Sequence, residues 1–166
     1  MLRLLTAIFL ALILCSCSSR PKVEELTFPD QKLLKSWQSF REAVNKSDTT
    51  ALISLSHSCI LCTVCFSPDT VGIISAQEFY RQHFRNVFNG RLVSFMNDST
   101  RIRAAYDNNS TFPERDSCLV INAVTDNKLA DVFVNIRGGD KEGLSVLIHF
   151  VKIDSLYKFY GISTMP

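Results

Sequence analysis

The chain lacks a second long apolar stretch. One run, residues 4–14, follows the single cation Arg3, and nothing later is long and greasy enough to span a bilayer. A protein that crosses the membrane repeatedly with helices is thereby excluded. A basic stripe interleaved with aromatics is also missing. Lys and Arg number 18 against 16 Asp and Glu, so nucleic acid is not an expected partner. No internal repeat or low-complexity tract is present, which removes solenoids and linker-like chains. The sequence has no phosphate-binding glycine loop, no G-x-G-x-x-G and no Ser-His-Asp motif. No Asp or Glu is expected in the enclosed apolar setting that a general base would need. Asp131 and Asp140 read as turn-like or exposed, and Glu78 is engaged in a helix start. Tryptophan occurs once, but phenylalanine twelve times, enough to fill an apolar interior.

What is present begins with the leader. Residues 4–14 are too few for a stop-transfer helix and suit a secretory signal. The run ends in Leu14-Cys15-Ser16-Cys17, which resembles the bacterial lipobox. The resemblance implies a signal peptide over 1–16, cleavage before Cys17, and lipidation of the Cys17 thiol. Membrane attachment through that lipid follows, because stable anchoring takes more than one acyl chain and this class supplies several. Ser18 stands where Asp would favour inner-membrane retention, so the resemblance points to the outer membrane. Residues 17–29 are polar, carry two prolines and read as a tether. About 150 residues remain after cleavage, enough for one domain with a full core.

The domain is expected over 30–166. Asp30 is an N-cap after Pro29, and Leu33, Trp37, Phe40 and Val44 recur on one stripe of a helix over 30–46. A second cap at Asp48 opens a short helix over 49–56. Residues 59–66 suit a strand ended by Ser67-Pro68-Asp69. Ser75-Ala76-Gln77-Glu78 matches the capping box and starts a third helix over 76–88, which Asn89-Gly90 stops. Beyond Gly90 the helical period disappears, and strands are expected over 92–96, 101–106, 118–124, 132–136, 144–153 and 156–162. Short turns between them imply antiparallel neighbours. The fold class is α+β: three N-terminal helices packed on a curved antiparallel sheet of four to six strands.

Trp37-x-x-Phe40 with Asp48-x-x-Ala51-Leu52, then Gly72-Ile73-Ile74-Ser75-x-x-Glu78-Phe79, then the hairpin through Asp154-Ser155 to Tyr157-Lys158-Phe159 carry a further likeness. Over residues 30–163 this order resembles the nuclear transport factor 2-like superfamily, which includes SnoaL-like and ketosteroid-isomerase-like proteins. The resemblance implies a cone with a pocket, and an exposed sheet face that can pair in a homodimer. It does not imply one activity, since unrelated functions share the fold.

Candidate site residues fall in two groups. Tyr80, His83, Tyr106, His149 and Tyr157 can line a pocket, although each is also an ordinary core or sheet residue. Cys59-x-x-Cys62-x-x-Cys65, with Cys118 further on, offers disulfides in an oxidising compartment, buried thiols, or a metal or redox site. A zinc site with His57 or Cys118 is chemically possible, but the spacing fits no familiar four-ligand site. No metal or other cofactor is therefore expected.

Three functions follow in order. The first is a non-catalytic envelope module that holds a small molecule or a partner protein. The second is a SnoaL-like enzyme for a small apolar substrate, with His83 or His149 as base. The third is a thiol, disulfide or metal-binding protein built on Cys59, Cys62 and Cys65.

Overall fold

The computed structural model describes residues 27–65, 72–107, 129–136 and 144–165. The expected leader, most of the tether and the strand expected over 118–124 lie outside these residues.

Helix α1 (Gln31–Lys46) starts where the Asp30 carboxylate accepts the Leu33 amide at 2.7 Å. Leu33, Trp37, Phe40, Ala43 and Val44 form its buried stripe. Helix α2 (Thr49–Ser54) is capped by Asp48, which accepts the Ala51 amide at 3.0 Å. Strands β1 (Ser56–Cys62) and β2 (Gly72–Ser75) follow. Ser75 then caps α3 through the Glu78 amide at 3.1 Å.

Helix α3, over 76–87, is not uniform. Its α-helical ends, Ala76–Glu78 and Phe84–Val87, flank a π-helical segment, Phe79–His83. The extra residue in that turn places Phe79, Tyr80, Phe84 and Phe88 all in the core. The strand expected over 92–96 is instead helix α4 (Gly90–Met96). Asn89 does not simply end α3. Its side chain accepts the Arg91 and Leu92 amides, both at 3.1 Å, and so starts the next helix. Leu92 and Met96, one turn apart, face the core.

After a 3₁₀ turn (Ser99–Arg101) come β3 (Ile102–Asp107), β4 (Leu129–Asn135), β5 (Ser145–Ile153) and β6 (Leu156–Met165). The six strands form one sheet in the order β2-β1-β6-β5-β4-β3. Neighbours are antiparallel except β1 and β6, which run parallel, so the sheet is mixed rather than wholly antiparallel. Turn length governs only strands joined by turns. The β1–β6 pairing spans most of the domain and escapes that rule. Between β5 and β6 the register slips, so that His149 opposes Gly161 and Phe150 opposes Phe159, leaving Tyr160 as a bulge. A bulge of this kind bends and twists the sheet, which is curved.

The helices cover one sheet face, and the principal core lies between. Phe40 sits 4.7 Å from Phe159 and 5.7 Å from both Phe88 and Phe150, ring centre to ring centre. Phe79 packs on Phe159 and Phe88. These offset and edge-on contacts hold the helices to the sheet and account for much of the phenylalanine. The other face carries a smaller cluster, Leu129, Val151 and Tyr160, with Ile153 against it.

Candidate functional site

The elbow between α3 and α4 stands off the helix-side face of the sheet and leaves a cavity of about 400 Å³. That volume falls within the range of small-molecule sites. The sheet supplies Val146 and Ile162 as its floor, with Ile136 just beyond β4. Val87, Leu92 and Phe95 descend from the helices, and Val64 closes one side. The polar groups come from the elbow itself: His83, Asn86, Asn89 and Arg91. The π-helical segment ends at His83, so the irregular turn sets where this imidazole enters the wall.

Charge at the rim is positive. The Arg91 guanidinium lies 5.7 Å from the centre of the Phe95 ring, and that of Arg101 lies 4.8 Å from it. Arg101 is also held by Asp98, Nε to Oδ2 at 3.0 Å. Phe95 is thus fixed by cations while its ring forms part of an apolar wall.

Cysteine chemistry reaches the same place. Cys62 and Cys65 are joined by a disulfide, which folds the chain back at the end of β1 and brings Cys65 into the cavity wall. Cys59 is also disulfide-bonded. Cys118 lies outside the described residues. Sulfurs held in disulfides are not thiolates and do not ligate zinc or iron in that state. His57 is occupied locally: its Nδ1 accepts the Cys59 amide at 3.1 Å, and burial lowers its pKa. Among the described residues, no group of three His, Cys, Asp or Glu converges as a metal site would require.

The expected pocket residues are dispersed. His83 lines the cavity. Tyr80 is buried beside β1, where its hydroxyl bonds Ser56 Oγ at 2.6 Å, and Ser56 in turn donates to the Leu52 carbonyl. Burial raises the Tyr80 pKa. Tyr106 and Tyr157 both donate to Asp30 Oδ2, at 2.8 and 3.0 Å. They serve the start of α1, and Tyr157 also lines a separate groove there with Lys32, Lys35 and Leu156, away from the elbow cavity. Burial pushes the Asp30 carboxyl up, but the Leu33 amide and the two phenols outweigh it and leave its pKa lowered.

His149 lies on the far face of the sheet, because its neighbours Ile148 and Phe150 take the core side. Its Nδ1 meets Asp131 Oδ1 at 2.7 Å, and its Nε2 meets Ser163 Oγ at 2.8 Å. Asp131 is therefore not in a turn. It sits within β4, 7% exposed, opposite His149. Arg91, Asn89, Asp131 and Ser163 were not singled out from sequence for these places. The signal for Asp131 was present: a carboxylate inside an apolar strand needs a partner.

No family model matches the chain, and no curated protein matches it. Solved structures similar to it include a domain of unknown function with a cystatin-like fold from Nostoc punctiforme. That domain is 12% identical, with 84% of this chain and 78% of that one covered and a TM-score of 0.38. Another is an NTF-2 like protein of unknown function from Shewanella oneidensis, 9% identical, with coverage of 82% and 98% and a TM-score of 0.36.

Proposed function

We propose that this chain is a lipid-anchored envelope protein whose domain holds a small amphipathic molecule in the cavity at the α3–α4 elbow. One observation carries the binding part: a roughly 400 Å³ space with apolar walls and a rim bearing Arg91, His83, Asn86 and Asn89. Apolar walls reward burial of a hydrocarbon body, and a few convergent polar groups orient its head. The cationic rim selects an acidic head, such as a carboxylate or sulfonate. The anchoring part rests on Leu14-Cys15-Ser16-Cys17. Among the described residues no helix is long and apolar enough to cross a membrane.

The catalytic alternative needs a base and a hydroxyl donor around one cavity. His83 is there, but no tyrosine is among the described residues lining it. Binding without turnover is the reading that geometry favours.

Anilinonaphthalene sulfonate, an apolar body with an anionic head, is a suitable probe. Its fluorescence should rise saturably on the folded domain and fall on addition of decanoate. Val87→Trp, which fills the cavity, should abolish the signal, and Arg91→Glu should weaken binding about tenfold, the worth of one charge-assisted contact. Equal binding by the Val87→Trp variant rules the site out. The anchor is tested in cells with a clickable fatty acid: label on the wild type and none on Cys17→Ser is expected.

A further inference from the structure

The far face of the sheet carries an arrangement unrelated to the cavity. Asp131 on β4, His149 on β5 and Ser163 on β6 form one hydrogen-bonded chain. Carboxylate, imidazole and hydroxyl are joined in the order that activates a serine: the carboxylate orients the ring, and the ring accepts the hydroxyl proton. We propose that these three residues form an acyl-transfer centre that hydrolyses small carboxylic esters, with Ser163 as nucleophile, His149 as general base and Asp131 as the positioning carboxylate.

The surrounding backbone is shaped around the imidazole. Asp131 and His149 are directly cross-strand in the β4–β5 register, and His149 is opposite Gly161 in the next. With no side chain at Gly161, the ring extends across β6 and reaches Ser163, two residues on. A Cβ at position 161 would lie 3.2 Å from His149 Cδ2 and 2.9 Å from the Leu61 carbonyl oxygen. The bulged Tyr160 forms a wall, its ring 5.6 Å from the imidazole. Asp131 and His149 are buried, while Ser163 is half-exposed. Base and carboxylate are thus shielded, and the nucleophile is open to a reactant.

The tautomer follows from the partners. A carboxylate only accepts, so Nδ1 carries the hydrogen toward Asp131 and the Nε2 lone pair faces the Ser163 hydroxyl. A groove of about 450 Å³ lined by Arg103, Phe133, Asn135 and Ser145 opens on the same face. Arg103, Phe133, Leu147 and Ser163 are successive partners across β3 to β6, so the groove shares a row with the nucleophile.

In the reaction, Ser163 Oγ attacks the acyl carbon and its proton passes to His149 Nε2. The ester C–O bond breaks, and the departing alkoxide takes that proton and leaves as the alcohol. Water then attacks the acyl-serine by the same route and releases the carboxylic acid. The sum is ester plus water to acid plus alcohol, with no other reactant.

The test uses the full chain with a fluorophosphonate, which loses fluoride when an activated serine attacks phosphorus, followed by peptide mapping. p-Nitrophenyl acetate turnover is measured alongside. Expected are a single adduct on Ser163, loss of adduct and turnover in Ser163→Ala, and at least tenfold slower labelling in His149→Gln and Asp131→Asn. Should His149→Gln fail to fold, the wild-type adduct map stands as an independent criterion. Absence of label on Ser163 under millimolar probe overturns the proposal. So does unchanged labelling in a His149→Gln variant with wild-type circular dichroism.

Discussion

At the scale of single residues, the far-face cluster shows how much one glycine decides. Gly161 lies under the His149 ring and against the Leu61 backbone. Gly161→Ala brings a methyl within 2.9 Å of a carbonyl oxygen that cannot swing away. Overpacking of this type costs about 1–3 kcal/mol. A urea titration of the variant should show a lower midpoint with an unchanged slope. Residue chemistry was only partly readable in advance. The Phe-rich composition anticipated the packed interior, and the residues of α1 that face it were legible from spacing alone. Asp131 was legible only in part: a carboxylate between Ala130 and Val132 calls for a partner, but nothing local identifies it. That partner, His149, is 18 positions away and becomes a neighbour only when β4 and β5 pair.

At the scale of elements, helix starts decide the most. Asp30 caps α1 and at the same time accepts hydroxyls from β3 and β6, through Tyr106 and Tyr157. Asp30→Ala should cost about 1–2 kcal/mol, the usual value of a cap. The effect carries a pH signature. Asp30 is held below its ordinary pKa of 3.8 in the folded state, so the folded protein favours the ionised form. Its contribution is complete above that ordinary pKa and is lost as pH falls through the lower folded value. The stability gap between wild type and Asp30→Ala should therefore be constant from neutral pH down to about pH 5 and shrink below about pH 4. Parallel chemical denaturation series at several pH values will check it.

Asn89 is the second such point. It joins α3 to α4 and shapes the cavity elbow through its two amide contacts. Asn89→Ala should destabilise by about 1 kcal/mol and weaken binding of the sulfonate probe more than an equally destabilising change at Asp48. Sequence alone favoured a stop at Asn89-Gly90, because Gly commonly ends helices. The same dipeptide, with the Asn side chain turned onto the next two amides, begins one. Local pattern does not distinguish these outcomes; burial of Leu92 and Met96 in the core decides between them.

At the scale of the whole molecule, the α+β arrangement with helices on one sheet face was legible, since it depends on element order and on which faces are apolar. The parallel pairing of β1 with β6 was not, since no turn connects those strands. The site was less legible than the fold. The cavity joins residues from position 64 to 162, and apart from His83 and Cys65 none bore a chemical label beforehand. The proposed lipid anchor would place the domain at a membrane surface, where amphipathic molecules with acidic heads are abundant, in keeping with the ligand proposed for the apolar cavity lined by Arg91. The two proposed activities lie on opposite faces of the sheet and can be tested separately. Filling the cavity should leave fluorophosphonate labelling of Ser163 intact, and removing the Ser163 hydroxyl should leave probe binding intact.

Methyl-resolved NMR of the domain during titration with decanoate tests the cavity most directly. Binding there should shift the methyl signals of Val87, Leu92, Val146 and Ile162 together, on one saturation curve, while those of Leu129 and Val151 on the far face stay in place. Shifts confined to the far face, or no shift of the four cavity methyls at millimolar decanoate, would contradict the account.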